Sequence, residues 1–317
     1  MDRMTRRDFG RLAIAGVPLL GPMPAWKNAG LHLQAAEPTA RSGNRSLIGG
    51  VQFGLQPFCY HDLAMTPANR PTLTRRLVQN GFGMVELHAT WVEPVFTAPG
   101  VSPDAAREKQ RAWRLSLPVD HYDGVKREFD EAGITVFSYY VNFNDTYTDA
   151  EIDAVFAGAK RLGASGCVGS QGLAMSQRLA GFPARHGMFL GIHNHANLSD
   201  PDAFNTEASF VKGLAFSPAV KATLDTRHFT AANGDCLGFL ERHHDRMSSV
   251  HLGDRRRNNG RSAPFGEGDA PIIEVLRMIR DNEWPIVAQL EFEHGTLRPQ
   301  VEEVQLMLDY CKRAVLS

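Results

Sequence analysis

Four apolar runs in the second half of the chain each end on a residue able to bind a metal. MFLGI runs into His193, VKATL into Asp225, MSSV into His251 and PIVAQL into Glu291. Singly, each has an ordinary reading. A strand histidine is commonly a hydrogen-bonded core residue, Asp225 stands where it would cap a following helix, and Glu291 could be a solvated loop carboxylate. Together, two imidazoles and two carboxylates recur at intervals of roughly 25–40 residues, the length of one strand-plus-helix unit. If those strands are parallel and close into a barrel, their C-terminal ends share one mouth. The four side chains would then form a mixed nitrogen and oxygen donor set. That set suits Mn²⁺, Zn²⁺, Co²⁺ or Fe²⁺ better than Ca²⁺, which prefers an all-oxygen shell; Mn²⁺ is the metal expected. Alternation along a strand adds His195 on the side of His193 and Glu293 on the side of Glu291.

The elements that must position these residues are legible from Ile48 onward. Short apolar runs recur as GVQFGLQPF, FGMVEL, ITVFSYYV, SGCVGS, MFLGI, VKATL, SSVHL and PIVAQL. Segments of helical period separate them; Ile272, Val275, Leu276 and Ile279 form one stripe. Near-continuous apolar strands between amphipathic helices predict a parallel sheet covered on both faces. Eight such units predict an α/β fold, a single-domain (β/α)8 TIM barrel over residues 46–317, a size close to the usual ~250 residues. No G-x-G-x-x-G opens the first βα turn, so a dinucleotide fold lacks its signature. The longest interruption, Thr90 to Asp120, is expected to hold a loop and an extra helix around Ala105–Trp113 that shapes a substrate pocket.

Composition narrows the partners. The formal net charge is -1 and apolar residues make up 43% of the 317, enough for a large core and without the long basic face a nucleic-acid partner would need. The four cysteines, Cys59, Cys167, Cys236 and Cys311, are far apart and form no C-x-x-C pair, which argues against a zinc ribbon or a disulfide framework. At the N-terminus, Thr5-Arg6-Arg7-Asp8-Phe9 precedes the apolar run Leu12–Leu20. This resembles a twin-arginine export signal, with Gly10 and Arg11 departing from its last two positions. Residues 1–45 are therefore expected to be signal and linker, the run being too short for a stable membrane span, and the enzyme to act in the periplasm or otherwise outside the cytoplasm. Homo-oligomerisation is left open.

LDTRH at Leu224–His228, VHLGDR at Val250–Arg255 and FGEGDAP at Phe265–Pro271 carry a family resemblance. From Ile48 onward the chain resembles the xylose-isomerase-like barrels of the sugar phosphate isomerase/epimerase superfamily. Gly83-Met84-Val85-Glu86-Leu87-His88 is a weaker match to that family's second-strand glutamate segment. The resemblance implies that Asp225, His251 and Glu291 bind a divalent metal. His193 stands where many members have a glutamate, and others carry a His-x-His element; it is taken as the fourth ligand. His228, Asp254, Arg255, His88 and Glu293 are expected to contact substrate. Gly253 replaces the lysine of an H-x-K-D-R element. The GEG turn, Gly266-Glu267-Gly268, offers backbone N–H groups to an anion or is simply a tight loop.

The reaction expected is isomerisation or epimerisation of a sugar or keto-sugar through an enediolate, with Glu291, His195 and Glu86 as candidate catalytic groups. Because His193 replaces one of two carboxylates, a metal-dependent lyase or dehydratase acting on a keto-sugar or inositol derivative is the nearest alternative. A non-catalytic sugar-binding barrel is a third, and near-neutral charge disfavours a metal-dependent endonuclease.

Overall fold

The computed structural model describes residues 44–317. The chain divides into Met1–Ser42 and Gly43–Ser317, and the twin-arginine segment lies outside the described residues. The second unit is built on eight parallel strands: β1 (Val51–Leu55), β2 (Met84–His88), β3 (Thr135–Tyr140), β4 (Gly166–Gly169), β5 (Phe189–His193), β6 (Val220–Asp225), β7 (Met247–Leu252) and β8 (Val287–Leu290). Each pairs with the next, and β8 returns to β1 through Ala288↔Phe53 while Leu55↔Val85 joins β1 to β2. Helices lie between the strands, and this is the predicted (β/α)8 barrel, a single TIM barrel domain.

Period-two alternation sorts the side chains. Val51, Phe53 and Leu55, and likewise Val85 and Leu87, Leu224, Val250 and Leu252, are fully buried members of one apolar core. The intervening positions are polar: Ser138 Oγ donates to Glu86 Oε2 at 2.7 Å, and Thr223 lies 3.5 Å from Ser249. Gly54 gives room to the buried Gln289, whose Oε1 would lie 2.2 Å from a Cβ there and would have to shift. The barrel axis is thus lined with polar groups below the mouth, while the greasy layer lies between strands and helices. The stripe Ile272, Val275, Leu276 and Ile279 is buried as predicted in the helix Ile272–Asp281. Each such side chain stabilises the fold by about 1.5–3 kcal/mol.

The segment after β2 holds the expected extra helix, Pro103–Leu115, begun by Pro103 and capped by Ser102 Oγ accepting from the Ala105 N–H at 3.2 Å. Its inner face carries Arg114, only 2% exposed, which donates to both oxygens of Glu93 at 2.8 Å and to Glu151 Oε1 at 2.9 Å. A buried cation with both partners in place pins this helix across the β2–β3 side of the mouth. Breaking such a pair by removing one partner costs about 3–5 kcal/mol. All four cysteines are buried free thiols. Among the described residues no helix is long and apolar enough to cross a membrane.

Candidate active site

The four strand-end residues meet. One ligand atom from each of His193, Asp225, His251 and Glu291 lies within 4.8 Å of the others, and all four side chains are buried. Strand register explains the convergence. Asp225 is paired with His251 across β6 and β7, and the Glu291 N–H donates to Leu252 O at 2.9 Å, placing Glu291 beyond the end of β8 beside them. His251 Nδ1 is 2.8 Å from Glu291 Oε2; His193 Nε2 is 3.4 Å from Asp225 Oδ2 and 3.8 Å from Glu291 Oε2. Asp225 is also the N-cap of the helix Thr226–Ala231, its Oδ1 accepting from the His228 N–H at 2.8 Å. Capping occupies Oδ1 and leaves Oδ2 toward His193, so the capping and ligand readings are compatible.

Behind the four lie groups that fix their orientation. Glu86 Oε1 sits 3.2 Å from His251 Nε2, on the edge of the ring away from Glu291, and its other oxygen is held by Ser138. His193 Nδ1 is 3.1 Å from Ser170 Oγ, which in turn meets the Tyr140 hydroxyl at 2.6 Å. The Nε2 edge of His193 is thereby left to face the carboxylates. Asn194 clamps the end of β6, accepting from the Asp225 N–H at 2.8 Å and donating to its carbonyl at 3.2 Å. Carboxylate–histidine and hydroxyl–histidine pairs of this kind are what orient imidazole ligands of a metal.

The donor set fits a divalent transition metal. His193 Nε2, which faces the Asp225 and Glu291 carboxylates, is buried without a well-directed hydrogen bond, so protein groups alone leave this centre under-satisfied. Charge in the cluster is arranged around its carboxylates. Burial opposes a charged His251, yet Glu86 and Glu291 push its pKa up to about 10. Burial likewise opposes ionised Asp225 and Glu291, and the Arg227 guanidinium with the neighbouring histidines holds both well below the usual carboxylate range.

The remaining sequence-predicted residues distribute themselves around this centre. His195 is exposed at the rim, its ring 5.0 Å from His193 and 4.6 Å from His228. Burial and the nearby His193 lower its pKa to about 4; burial lowers that of His228 to about 3. Both are neutral bases near pH 7. Glu293 lies at the rim, its side chain 38% exposed and 2.7 Å from Arg227 Nη1, and partial burial raises its pKa. Arg255 reaches the same rim, its Nη1 3.3 Å from His228 Nδ1. His88 stacks on Tyr140 at 4.2 Å. Asp254 is placed differently from the expectation of a substrate contact. It is buried, and its carboxylate accepts from the N–H groups of Gly266 at 2.8 Å, Gly268 at 2.9 Å and Ala270 at 3.1 Å. The GEG turn thus spends the Gly266 and Gly268 N–H groups on Asp254 and that of Glu267 on Pro264 O, which gives it the tight-loop reading. Gly268 is obligatory there, since a Cβ would lie 1.9 Å from Asp254 Oδ1.

Sequence reasoning passed over Arg227, Ser138, Tyr140 and Ser170. Arg227 is 1% exposed, with Nη2 3.0 Å from Asp225 Oδ2 and 3.8 Å from Glu291 Oε1. Its position two residues after Asp225 was the only available signal, and an arginine beside a carboxylate is unremarkable in a linear sequence.

The comparisons agree with this architecture. Residues 174–313 match the sequence model of the family described as xylose isomerase-like TIM barrel. Among solved structures, the probable 3-DHS dehydratase AsbF from Bacillus anthracis aligns over 81% of this chain and 97% of its own, at 14% identity and a TM-score of 0.59. A sugar phosphate isomerase/epimerase from Parabacteroides distasonis covers 86% and 97%, at 15% identity and a TM-score of 0.58. An L-ribulose 3-epimerase covers 83% and 96%, at 12% identity and a TM-score of 0.59. No curated protein is significantly similar in sequence. At such identities the structural likeness is one of fold. The matched segment carries β5, β6, β7 and β8 and all four clustered side chains.

Proposed function

We propose that this barrel is a divalent-metal-dependent enzyme that isomerises or epimerises a sugar or keto-sugar by moving a proton on a carbon next to a carbonyl. The observation that carries this reading is the convergence of His193, Asp225, His251 and Glu291 within 4.8 Å, beside a neutral, solvent-reached His195. These four side chains would hold the cation. When bound, it would supply Lewis-acid stabilisation of negative charge developing on substrate oxygens. Mn²⁺ is the cation proposed, and the mixed donor set would also accept Zn²⁺, Co²⁺ or Fe²⁺.

The chain's own residues supply the rest. An imidazole nitrogen of His195 accepts the proton as the C–H bond breaks and returns it to the neighbouring carbon, the hydroxyl proton passing to the former carbonyl oxygen; epimerisation would need a second proton donor on the opposite face, for which Glu291 is the candidate. His228 and Arg255 at the same rim offer hydrogen bonds that hold hydroxyl groups of the substrate. Burial of the four-residue cluster keeps bulk water from the developing charge, where electrostatic stabilisation is strongest. Glu86 acts behind His251 as a positioning residue in this reading.

A lyase is the second reading, favoured by one observation. Glu293, two residues beyond Glu291 and with its pKa raised by partial burial, would protonate a leaving hydroxyl after proton removal. The same initial C–H cleavage would then end in loss of water. The test is incubation of Mn²⁺-loaded protein with free keto-sugars and aldoses in D₂O, followed by NMR and mass spectrometry. Deuterium beside the carbonyl with the mass otherwise unchanged supports isomerisation, and a product lighter by one water supports the lyase. Neither outcome across the panel overturns the enzymatic reading. Replacing His195 by Ala is expected to lower turnover about 10²–10⁴-fold with metal content retained.

We further propose export by the twin-arginine route, from the Arg6-Arg7 pair before an apolar run. Exchange of both for Lys is expected to leave the protein in the cytoplasmic fraction. Unchanged export would remove the proposal.

A further inference from the structure

Next to the metal-binding cluster lies a cavity of about 590 Å³ that the chemistry above does not use. It is roofed by the helix Pro103–Leu115 and the strand-to-helix segment before it, and its floor is His88 and Tyr140. Those two residues connect it to the site. Tyr140 is joined through Ser170 to His193 Nδ1, and its ring centre is 6.3 Å from that of His193. The volume falls in the range of roughly 300–1,000 Å³ typical of pockets for small organic molecules.

The character of the wall selects the occupant. Phe96 and Tyr140 contribute aromatic surface, Val95 and Ala106 aliphatic surface, and Gln110 and Asn142 amide groups. The charged groups bordering it are already matched. Arg114 is bonded to Glu93 and Glu151, and Arg107 donates to both oxygens of Glu151 at 2.8 and 2.6 Å. An anionic or cationic ligand would have to separate buried ion pairs to be received, which is strongly unfavourable. An uncharged ring bearing hydroxyl groups would not: its face packs on aromatic and aliphatic carbon, and its hydroxyls find the amides.

We propose that this cavity is a second subsite, which takes an uncharged hydroxylated or aryl ring joined to the reacting sugar, so that the substrate is a glycoside-like, two-ring compound. The inference rests on the reading of the four-residue cluster as the place where the reacting sugar sits. The reacting ring then lies over His193, Asp225, His251 and Glu291, and the second ring passes His88 and Tyr140 to lie beneath the helix Pro103–Leu115.

The test uses the full chain loaded with Mn²⁺ and titrated by calorimetry with D-glucose, methyl β-D-glucopyranoside, cellobiose and phenyl β-D-glucopyranoside. Cellobiose or the phenyl glucoside is expected to bind at least tenfold more tightly than glucose or the methyl glucoside, and which of the two gains more tells a sugar second ring from an aryl one. Ala106→Phe places a ring in the cavity and is expected to erase the gap while bound manganese is unchanged. Thr97→Trp, on the exposed loop bordering the same space, is the second filling variant should the helix not accept Phe. Equal binding of one-ring and two-ring compounds overturns the subsite, as does a gap that survives in a folded, metal-loaded filling variant. The outcome is separable from the fate of the reaction. A gap erased by filling, with no turnover of any sugar, sustains the subsite and sinks the isomerase. Turnover of free keto-sugars with no gap does the reverse.

Discussion

Replacing Glu86 by Gln separates two roles that the same residue could play. Glu86 is fully buried, with Oε2 accepting from Ser138 at 2.7 Å and Oε1 3.2 Å from His251 Nε2. The His251 edge it faces is opposite Nδ1, the atom 2.8 Å from Glu291. It therefore lies behind the ring, away from any substrate over the mouth, and its physical effect is to orient the imidazole and raise its basicity. Gln has the same shape and retains a partner for Ser138, so the fold should survive and only the charge behind His251 is lost. Outer partners of this kind change metal affinity by about 10–100-fold, equivalent to about 1.4–2.7 kcal/mol. The expected result is a weakening of Mn²⁺ binding in that range by calorimetric titration, accompanied by lower bound metal after gel filtration at limiting Mn²⁺. Turnover at saturating Mn²⁺ should largely recover. If Glu86→Gln binds Mn²⁺ as tightly as the parent protein and loses turnover even at saturation, Glu86 takes part in proton transfer and the positioning argument fails.

Two further outcomes are expected from the same geometry. Asp225→Ala should drop bound metal well below one equivalent and leave the Arg227 guanidinium, 1% exposed, without its 3.0 Å partner. Such a loss costs about 3–5 kcal/mol, with the lower end expected because Glu293 stays at 2.7 Å; urea unfolding of the metal-free forms measures it, and an unchanged midpoint would contradict the assignment. The pH dependence of the metal-free protein follows from His251, whose folded pKa of about 10 exceeds the ordinary 6.5. A raised histidine pKa contributes stability that is complete below about pH 6.5 and is lost as pH climbs through about 10. The metal-free melting temperature should therefore fall across that window, and Mn²⁺ uptake near neutral pH should release protons, measurable as a buffer-dependent heat of binding. A flat melting profile from pH 6.5 to 10 would show that the Glu86–His251–Glu291 charge arrangement is not as drawn.

Much of this molecule can be read along the chain. Eight apolar runs separated by helical period dictate a parallel sheet covered on both faces, because such strands expose neither face to water and their connections must cross over. His193, Asp225, His251 and Glu291 were legible because each terminates such a run, and strand ends in a barrel share a mouth whatever the loops do. The extra helix expected around Ala105–Trp113 stands at Pro103–Leu115. What remained hidden is of a different kind. Glu86 meets Ser138 and His251 across 52 and 165 positions, and Tyr140 reaches His193 only through Ser170. Asp254 looked like part of a substrate-binding motif, yet its oxygens hold the backbone of the Gly266–Ala270 turn.

Local pattern therefore determined which residues stand at the ends of strands, since alternation and burial act over a few neighbours at a time. Closure of the barrel decided which polar groups face one another inside it: the carboxylate behind His251, the guanidinium wedged between Asp225 and Glu291, and the cavity between helix and mouth. Those pairings depend on the distances set when β8 meets β1, and no property of a single segment encodes them.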